Sequence, residues 1–145
     1  MIGLIQRVTR ANVTVNSNTV GEIKRGILIL LGVEKLDTEE NAKNLLQKVI
    51  NYRIFEDEDG KMNLSILDIG GDLLIVPQFT LPANTKKGTR PSFASAAPPE
   101  LGEFLYEHFI ELAHNKISNV ETGQFGADMQ VELVNSGPVT FWLQK

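Results

Sequence analysis

Side chains able to act as nucleophiles, proton carriers or metal ligands are few in this sequence. There is no cysteine among its 145 residues, so thiolate chemistry, disulfides and cysteine metal sites are excluded. The two histidines, His108 and His114, fall in one stretch patterned as a helix. His108 borders Phe104, Leu105 and Leu112, which reads as a packed or rim histidine rather than a base. Neither histidine has metal-ligand spacing to a second ligand. The acidic run Asp57-Glu58-Asp59-Gly60 invites comparison with a calcium loop. Counting from Asp57, however, the sixth position is Met62, where that loop needs glycine, and the twelfth is Asp68 instead of glutamate. An acidic hairpin turn is the better reading. No nucleophile elbow, phosphate-binding loop or dinucleotide glycine pattern is present. Lys86, Lys87 and Arg90 cluster in a Gly-containing stretch that reads either as a solvated loop or as a phosphate contact. The net charge of −4 argues against gripping nucleic acid by bulk electrostatics, but leaves room for a protein that handles only the tip of an RNA.

The elements that must carry these residues follow from apolar periodicity. Length and composition suit one soluble domain, residues 1–145, with a real core. Residues 2–9 alternate as a strand, and Val13 and Val15 lead into the turn cluster Asn16-Ser17-Asn18. Residues 19–23 and 27–33 continue a meander. Asp37 or Thr38 caps a helix whose apolar stripe is Ala42, Leu45, Leu46, Val49 and Ile50. Residues 52–55 read as a strand, and residues 73–76 as a central one ended by Pro77, which has no N–H for the ladder. The polar segment 82–99 is long for a structureless connection, which points to function. A second helix spans 101–113, opening after Pro98-Pro99. Residues 129–133 and 139–143 read as two strands separated by Asn135-Ser136-Gly137-Pro138. No run is long enough to span a membrane as a helix, and the N-terminus carries no signal pattern, so a cytoplasmic location is expected. Local patterning alone stops at a mixed α/β (α+β) domain.

Two segments carry the sequence further. Gln78-Phe79-Thr80-Leu81, after the buried strand, and Gly137-Pro138-Val139-Thr140, between the last strands, together resemble the two signature motifs of the D-aminoacyl-tRNA deacylase family. The resemblance runs along the whole chain, through Ile5-Gln6-Arg7-Val8, Gly32-Val33-Glu34-Lys35, Arg53-Ile54-Phe55, Gly60-Lys61-Met62-Asn63-Leu64, Arg90-Pro91-Ser92-Phe93 and Thr122-Gly123-Gln124-Phe125. Each piece alone is weak; their order together is specific. The resemblance implies a compact β-barrel-like sheet flanked by helices. It also implies a homodimer with active sites at the subunit interface, no cofactor and no metal. The substrate would be the 3′ end of an aminoacyl-tRNA. Gln78, Phe79 and Thr80 would form the catalytic segment, and Gly137 and Pro138, braced by Arg7, a cross-subunit substrate-binding element with a cis peptide bond. Held by its α-amino group, a D-residue would point its side chain away while an L-side chain would clash. Glycine would pass as well. On residue patterning alone, Gly137-Pro138 is an ordinary turn, Phe79 core and Thr80 a strand former, while Arg7 shares a strand face with Ile5 and so reads as partly covered, with a surface arginine at a strand end as the alternative.

One departure matters. The family's first motif usually begins with serine, and here that position is Pro77. Proline offers neither hydroxyl nor N–H, so no nucleophile or oxyanion donor comes from residue 77. Thr80 keeps the motif's hydroxyl but has no evident histidine base. The expected route is therefore substrate-assisted, with the terminal 2′-hydroxyl sharing in proton transfer and the backbone N–H groups of Phe79 and Thr80 receiving the oxyanion. Pro77 also resembles a related group acting on a mischarged L-aminoacyl-tRNA. That group has alanine where this chain has Phe79, and a trans Gly-Pro peptide. Relaxed chirality and a non-catalytic RNA-end-binding module are the competing readings.

Overall fold

The two continuous apolar runs of the sequence lie side by side in the middle of the sheet. A computed structural model describes residues 1–86 and 88–145; Lys87, of the basic cluster, lies outside the described residues. Strands β1 (Ile2–Val15), β2 (Asn18–Ile23) and β3 (Gly26–Gly32) form an antiparallel meander. Asn16 and Ser17 take positive φ in the two-residue β1–β2 turn, the geometry that matches strand twist in tight hairpins. Helix α1 (Glu39–Ile50) and the small hairpin of β4 (Phe55–Glu56) and β5 (Met62–Leu64) follow. Strand β6 (Asp72–Pro77) then returns parallel to β3. Helix α2 (Pro99–His114), short strand β7 (Val120–Thr122) and long strand β8 (Gln130–Gln144) complete the chain. The sheet order is β2-β1-β3-β6-β7, with β8 along the other edge of β1. The sheet curls until β2 meets β7: a Cβ at Gly21 would stand 2.6 Å from the Thr122 carbonyl oxygen. The result is a mixed α+β fold with a nearly closed, barrel-like sheet and two main helices.

Both faces of the central strands are covered, which is why they read as unbroken apolar runs rather than alternating ones. Ile27, Ile29, Leu31, Leu73 and Ile75 point to the helices, against Leu45, Val49, Leu105 and Phe109. Leu28, Leu74 and Val76 point into the barrel with Val8, Val13 and Ile23. Among the described residues, no helix is long and apolar enough to cross a membrane.

Several expectations are refined. Thr38, not Asp37, precedes α1, and Asn41 accepts the Thr38 N–H at 2.9 Å. Asp37 instead accepts the Met1 ammonium at 2.5 Å and the Glu34 N–H at 2.7 Å. Residues 52–54 are not a strand: pairing starts only at Phe55, because Tyr52 N–H already turns back to Val49 after the helix. The last two expected strands are one, β8, whose interruption is a bulge. Between the pairs Gln6–Thr140 and Val8–Asn135, β1 has only Arg7 while β8 has residues 136–139. The acidic turn is a hairpin turn, with Gly60 at positive φ and Asp57 accepting the Asp59 and Lys61 N–H groups.

Candidate functional site

Parallel β3 and β6 end together at Leu31 and Pro77, and the chain leaves β6 in a turn that carries Gln78, Phe79 and Thr80. The Gln78 N–H donates to the Leu31 carbonyl at 2.8 Å, so the turn starts from the last rung of the sheet. The Leu81 N–H closes it on the Gln78 carbonyl at 3.3 Å, and the Ala83 N–H donates to the Thr80 carbonyl at 3.1 Å. Among the described residues, the N–H groups of Phe79 and Thr80 have no protein acceptor. The Gln78 amide donates to Thr80 Oγ1 at 2.6 Å. That bond occupies an acceptor site of the hydroxyl and leaves its own proton free to be donated.

Beside this turn lies an open apolar pocket of about 530 Å³, lined among others by Leu31, Pro77, Phe79, Tyr106, Phe125 and Met129. That volume falls in the range of small-ligand sites. Tyr106 anchors its floor. The buried hydroxyl lies 3.0 Å from both the Ile75 and Gly123 carbonyls, tying β6, α2 and the chain after β7 together. Burial pushes the phenol's pKa well above its ordinary value, so it stays a neutral donor. No histidine, aspartate or glutamate lines the pocket among the described residues. His108 instead stacks on Phe104 with ring centroids 6.4 Å apart and borders a crevice with Thr38 and Leu112. Nor do three His, Asp or Glu side chains gather anywhere among the described residues.

The second segment is the β8 bulge. Gly137 and Pro138 stand exposed at its tip, and their peptide bond is cis. Gly137 has φ 126°, a conformation that side-chain-bearing residues rarely adopt, and a Cβ there would come within 2.7 Å of the Val139 side chain. The base of the bulge is held firmly. Arg7, only 8% exposed, donates from Nε to the Ser136 carbonyl at 3.1 Å and from Nη1 to the Ile54 carbonyl at 2.7 Å. Asn135 closes the neck: its Oδ1 accepts the Val139 N–H at 3.1 Å and its Nδ2 donates to Thr140 Oγ1 at 3.1 Å. Arg7 shares its strand face with buried Ile5, and that face lies under the bulge.

Within one chain the two segments are far apart. Arg7 pairs with Ile27, which pairs with Leu73, whereas Pro77 lies four residues further along β6. That is about 13 Å along the strands and about 14 Å across three strand spacings. The structure thus brings Gln78, Phe79 and Thr80 together, and separately Arg7, Gly137 and Pro138, but not the two groups. Sequence reasoning missed Tyr106, Asn135 and Met129 as builders of these places. A tyrosine on the apolar side of an amphipathic helix was the available signal for Tyr106. Asn135 gave none beyond its place in a turn cluster.

Comparison with known proteins places these features in a family. Residues 4–144 match the family described as D-Tyr-tRNA(Tyr) deacylase. A D-aminoacyl-tRNA deacylase of Pseudoalteromonas atlantica is 59% identical over 143 residues, covering 99% of each chain. Among solved structures, a "c-Myc DNA Unwinding Element Binding Protein" superposes with a TM-score of 0.95 at 40% identity, covering 100% of this chain and 99% of that one. A probable eukaryotic D-amino acid tRNA deacylase superposes with a TM-score of 0.86 at 18% identity, over 99% of this chain and 98% of the other, which supports the fold.

Proposed function

The chain belongs to the D-Tyr-tRNA(Tyr) deacylase family, and we propose that it works as that description says: it hydrolyses the ester joining a D-amino acid to the 3′ end of tRNA. The observation that carries the chemical reading is the pair of consecutive, unoccupied N–H groups of Phe79 and Thr80 beside an apolar pocket. Such donors match the charge that develops on an ester carbonyl oxygen under attack, and a pocket lining without His, Asp or Glu among the described residues is in keeping with a reaction in which the substrate supplies part of the proton transfer. Water adds to the carbonyl carbon, the oxyanion is received by the two N–H groups, and the bond to the ribose 3′-oxygen breaks. The terminal 2′-hydroxyl relays the proton: its oxygen takes the proton that the attacking water sheds, while its own proton passes to the departing 3′-oxygen. Thr80 positions by donating its free proton and does not attack; Gln78 orients it. Pro77 contributes only shape.

The catalytic unit we propose is a homodimer. The separation of the Gly137-Pro138 bulge from the Thr80 turn within one chain supports a second copy as the source of the bulge. The free edge of β8, with Trp142 51% and Val134 41% exposed, offers a surface for it. In that arrangement the bulge would receive the substrate's α-amino group on backbone carbonyls and reject L-side chains by collision, while admitting glycine. A substrate of this kind supports a cytoplasmic location.

The test is ester loss from D-tyrosyl-, glycyl- and L-tyrosyl-tRNA. Hydrolysis of the first two and survival of the third is expected. Inertness toward D-tyrosyl-tRNA would sink the enzyme reading, and comparable loss of the L-ester would sink steric rejection. Thr80→Ala should retain measurable turnover; complete loss with tRNA binding intact would make Thr80 a direct participant.

A further inference from the structure

At the rim of the pocket stands a pair of neighbouring exposed phenylalanines. Phe79 is 64% and Phe93 43% exposed, yet their ring centroids lie 5.3 Å apart. Single exposed apolar residues are ordinary; a contiguous aromatic pair at the rim of a pocket is not. Phe93 is held in place from both sides. Asn84 and Ser92 exchange N–H···O bonds of 2.8 and 3.1 Å, the Ala96 N–H donates to the Phe93 carbonyl at 3.0 Å, and the segment docks on β3's continuation through Ala97 N–H to Val33. Phe79 itself lines the pocket. The Asn84–Ser92 clasp places exposed Lys86 and Arg90 on the tip immediately before Phe93. From Pro82 to Pro99 the sequence has no aspartate or glutamate, in a chain with 18 of them.

We propose that the Phe79 and Phe93 rings form a stacking platform for the unpaired nucleobase that precedes the terminal adenosine, with Lys86 and Arg90 meeting its phosphates. This inference rests on the proposed action at a tRNA 3′ end. Three observations favour single-stranded RNA as the occupant. Aromatic faces accept any base, the flanking tip is locally cationic on an acidic protein, and the platform abuts the pocket where the terminal nucleoside would sit.

The experiment compares wild type with Phe93→Leu and Phe93→Trp on three esters: D-tyrosyl-tRNA, the same tRNA with an abasic penultimate nucleotide, and D-tyrosyl-adenosine. Affinity for uncharged tRNA is measured alongside. Phe93→Leu should raise KM for the intact tRNA, and weaken uncharged-tRNA binding, by about 5- to 150-fold with kcat little changed. Phe93→Trp should restore both. On the abasic tRNA and on D-tyrosyl-adenosine, Phe93→Leu should cost nothing further. Equal losses on all three esters, no loss on any, or a changed subunit number in Phe93→Leu would overturn the platform. If wild type cleaves none of the esters, the deacylase reading fails, and the uncharged-tRNA affinities still decide the stacking question.

Discussion

The turn after β6 and the bulge in β8 solve opposite problems with the same material. At Phe79 and Thr80, main-chain donors have no protein acceptor among the described residues, at the edge of an apolar pocket. At Gly137 and Pro138, the neck is bonded by Arg7 and Asn135, and only the tip is offered to solvent. In the proposed reaction one segment would receive negative charge, and the other, a projection with a bonded neck, would reach into a second copy. On that proposal the difference teaches that function resides in backbone placement, with side chains acting as its scaffolding.

The comparison breaks most completely at Arg7. Arg7→Leu leaves the Ser136 and Ile54 carbonyls without their charged donor, and we expect a loss of about 3–5 kcal/mol in chemical denaturation. If the protein remains folded, activity on D-tyrosyl-tRNA should fall even though residues 78–80 are untouched. Undiminished stability and activity would mean the neck holds itself. Gly137→Ala tests the tip alone: the strained φ should cost about 1–3 kcal/mol, with discrimination between D- and L-tyrosyl esters reduced. Unchanged discrimination would separate the bulge from chirality. Tyr106→Phe sharpens the other side. Losing its hydroxyl from between two buried carbonyls should cost about 1–3 kcal/mol, and loosening of the β6 end should appear as faster amide exchange at Gln78. A variant as stable as wild type would show that the floor needs no such tie.

The smallest effect lies away from both segments and serves as their control. The Asn63 amide, followed by the Lys61 and Asp59 N–H groups, holds the Asp57 carboxyl below its ordinary pKa of 3.8. A depressed folded pKa means that this stabilisation is present above the unfolded value and is lost as pH falls through the folded one. Protection factors at Asp59 and Lys61, the exchange rates corrected for their intrinsic pH dependence, should therefore fall as pH drops through the depressed pKa, below the ordinary 3.8, and Asp57→Asn should remove that fall. Deacylase activity at neutral pH should be indifferent to that substitution.

How much of this was legible in the sequence depended on whether a signal was local. The runs at 27–31 and 73–76 announced central strands because both faces are covered. Helix α1 announced itself through its stripe. Strand β7 escaped notice because three residues, Val120–Thr122, are too few for a period to show. The continuity of β8 was hidden because turn-forming residues at 135–138 look the same in a loop as in a bulge that keeps its pairing on either side. The partial cover of Arg7 was legible from the face it shares with Ile5, but what covers it was not, since the group it serves arrives from 129 positions later in the chain. The candidate site was legible only through its family likeness, because main-chain N–H groups leave no mark on residue type.

That last property has a consequence for how the site tolerates change. An amide donor belongs to every residue except proline. Substituting the side chains of Phe79 or Thr80 would therefore leave the oxyanion donors standing, and an alanine survey would make this region look more dispensable than it is. Drift in residue identity is cheap here so long as the turn keeps its shape, as Pro77, just before the donors, illustrates. Proline substitution is the mutagenesis matched to such an architecture: at 79 or 80 it would erase a donor that no other natural amino acid can remove.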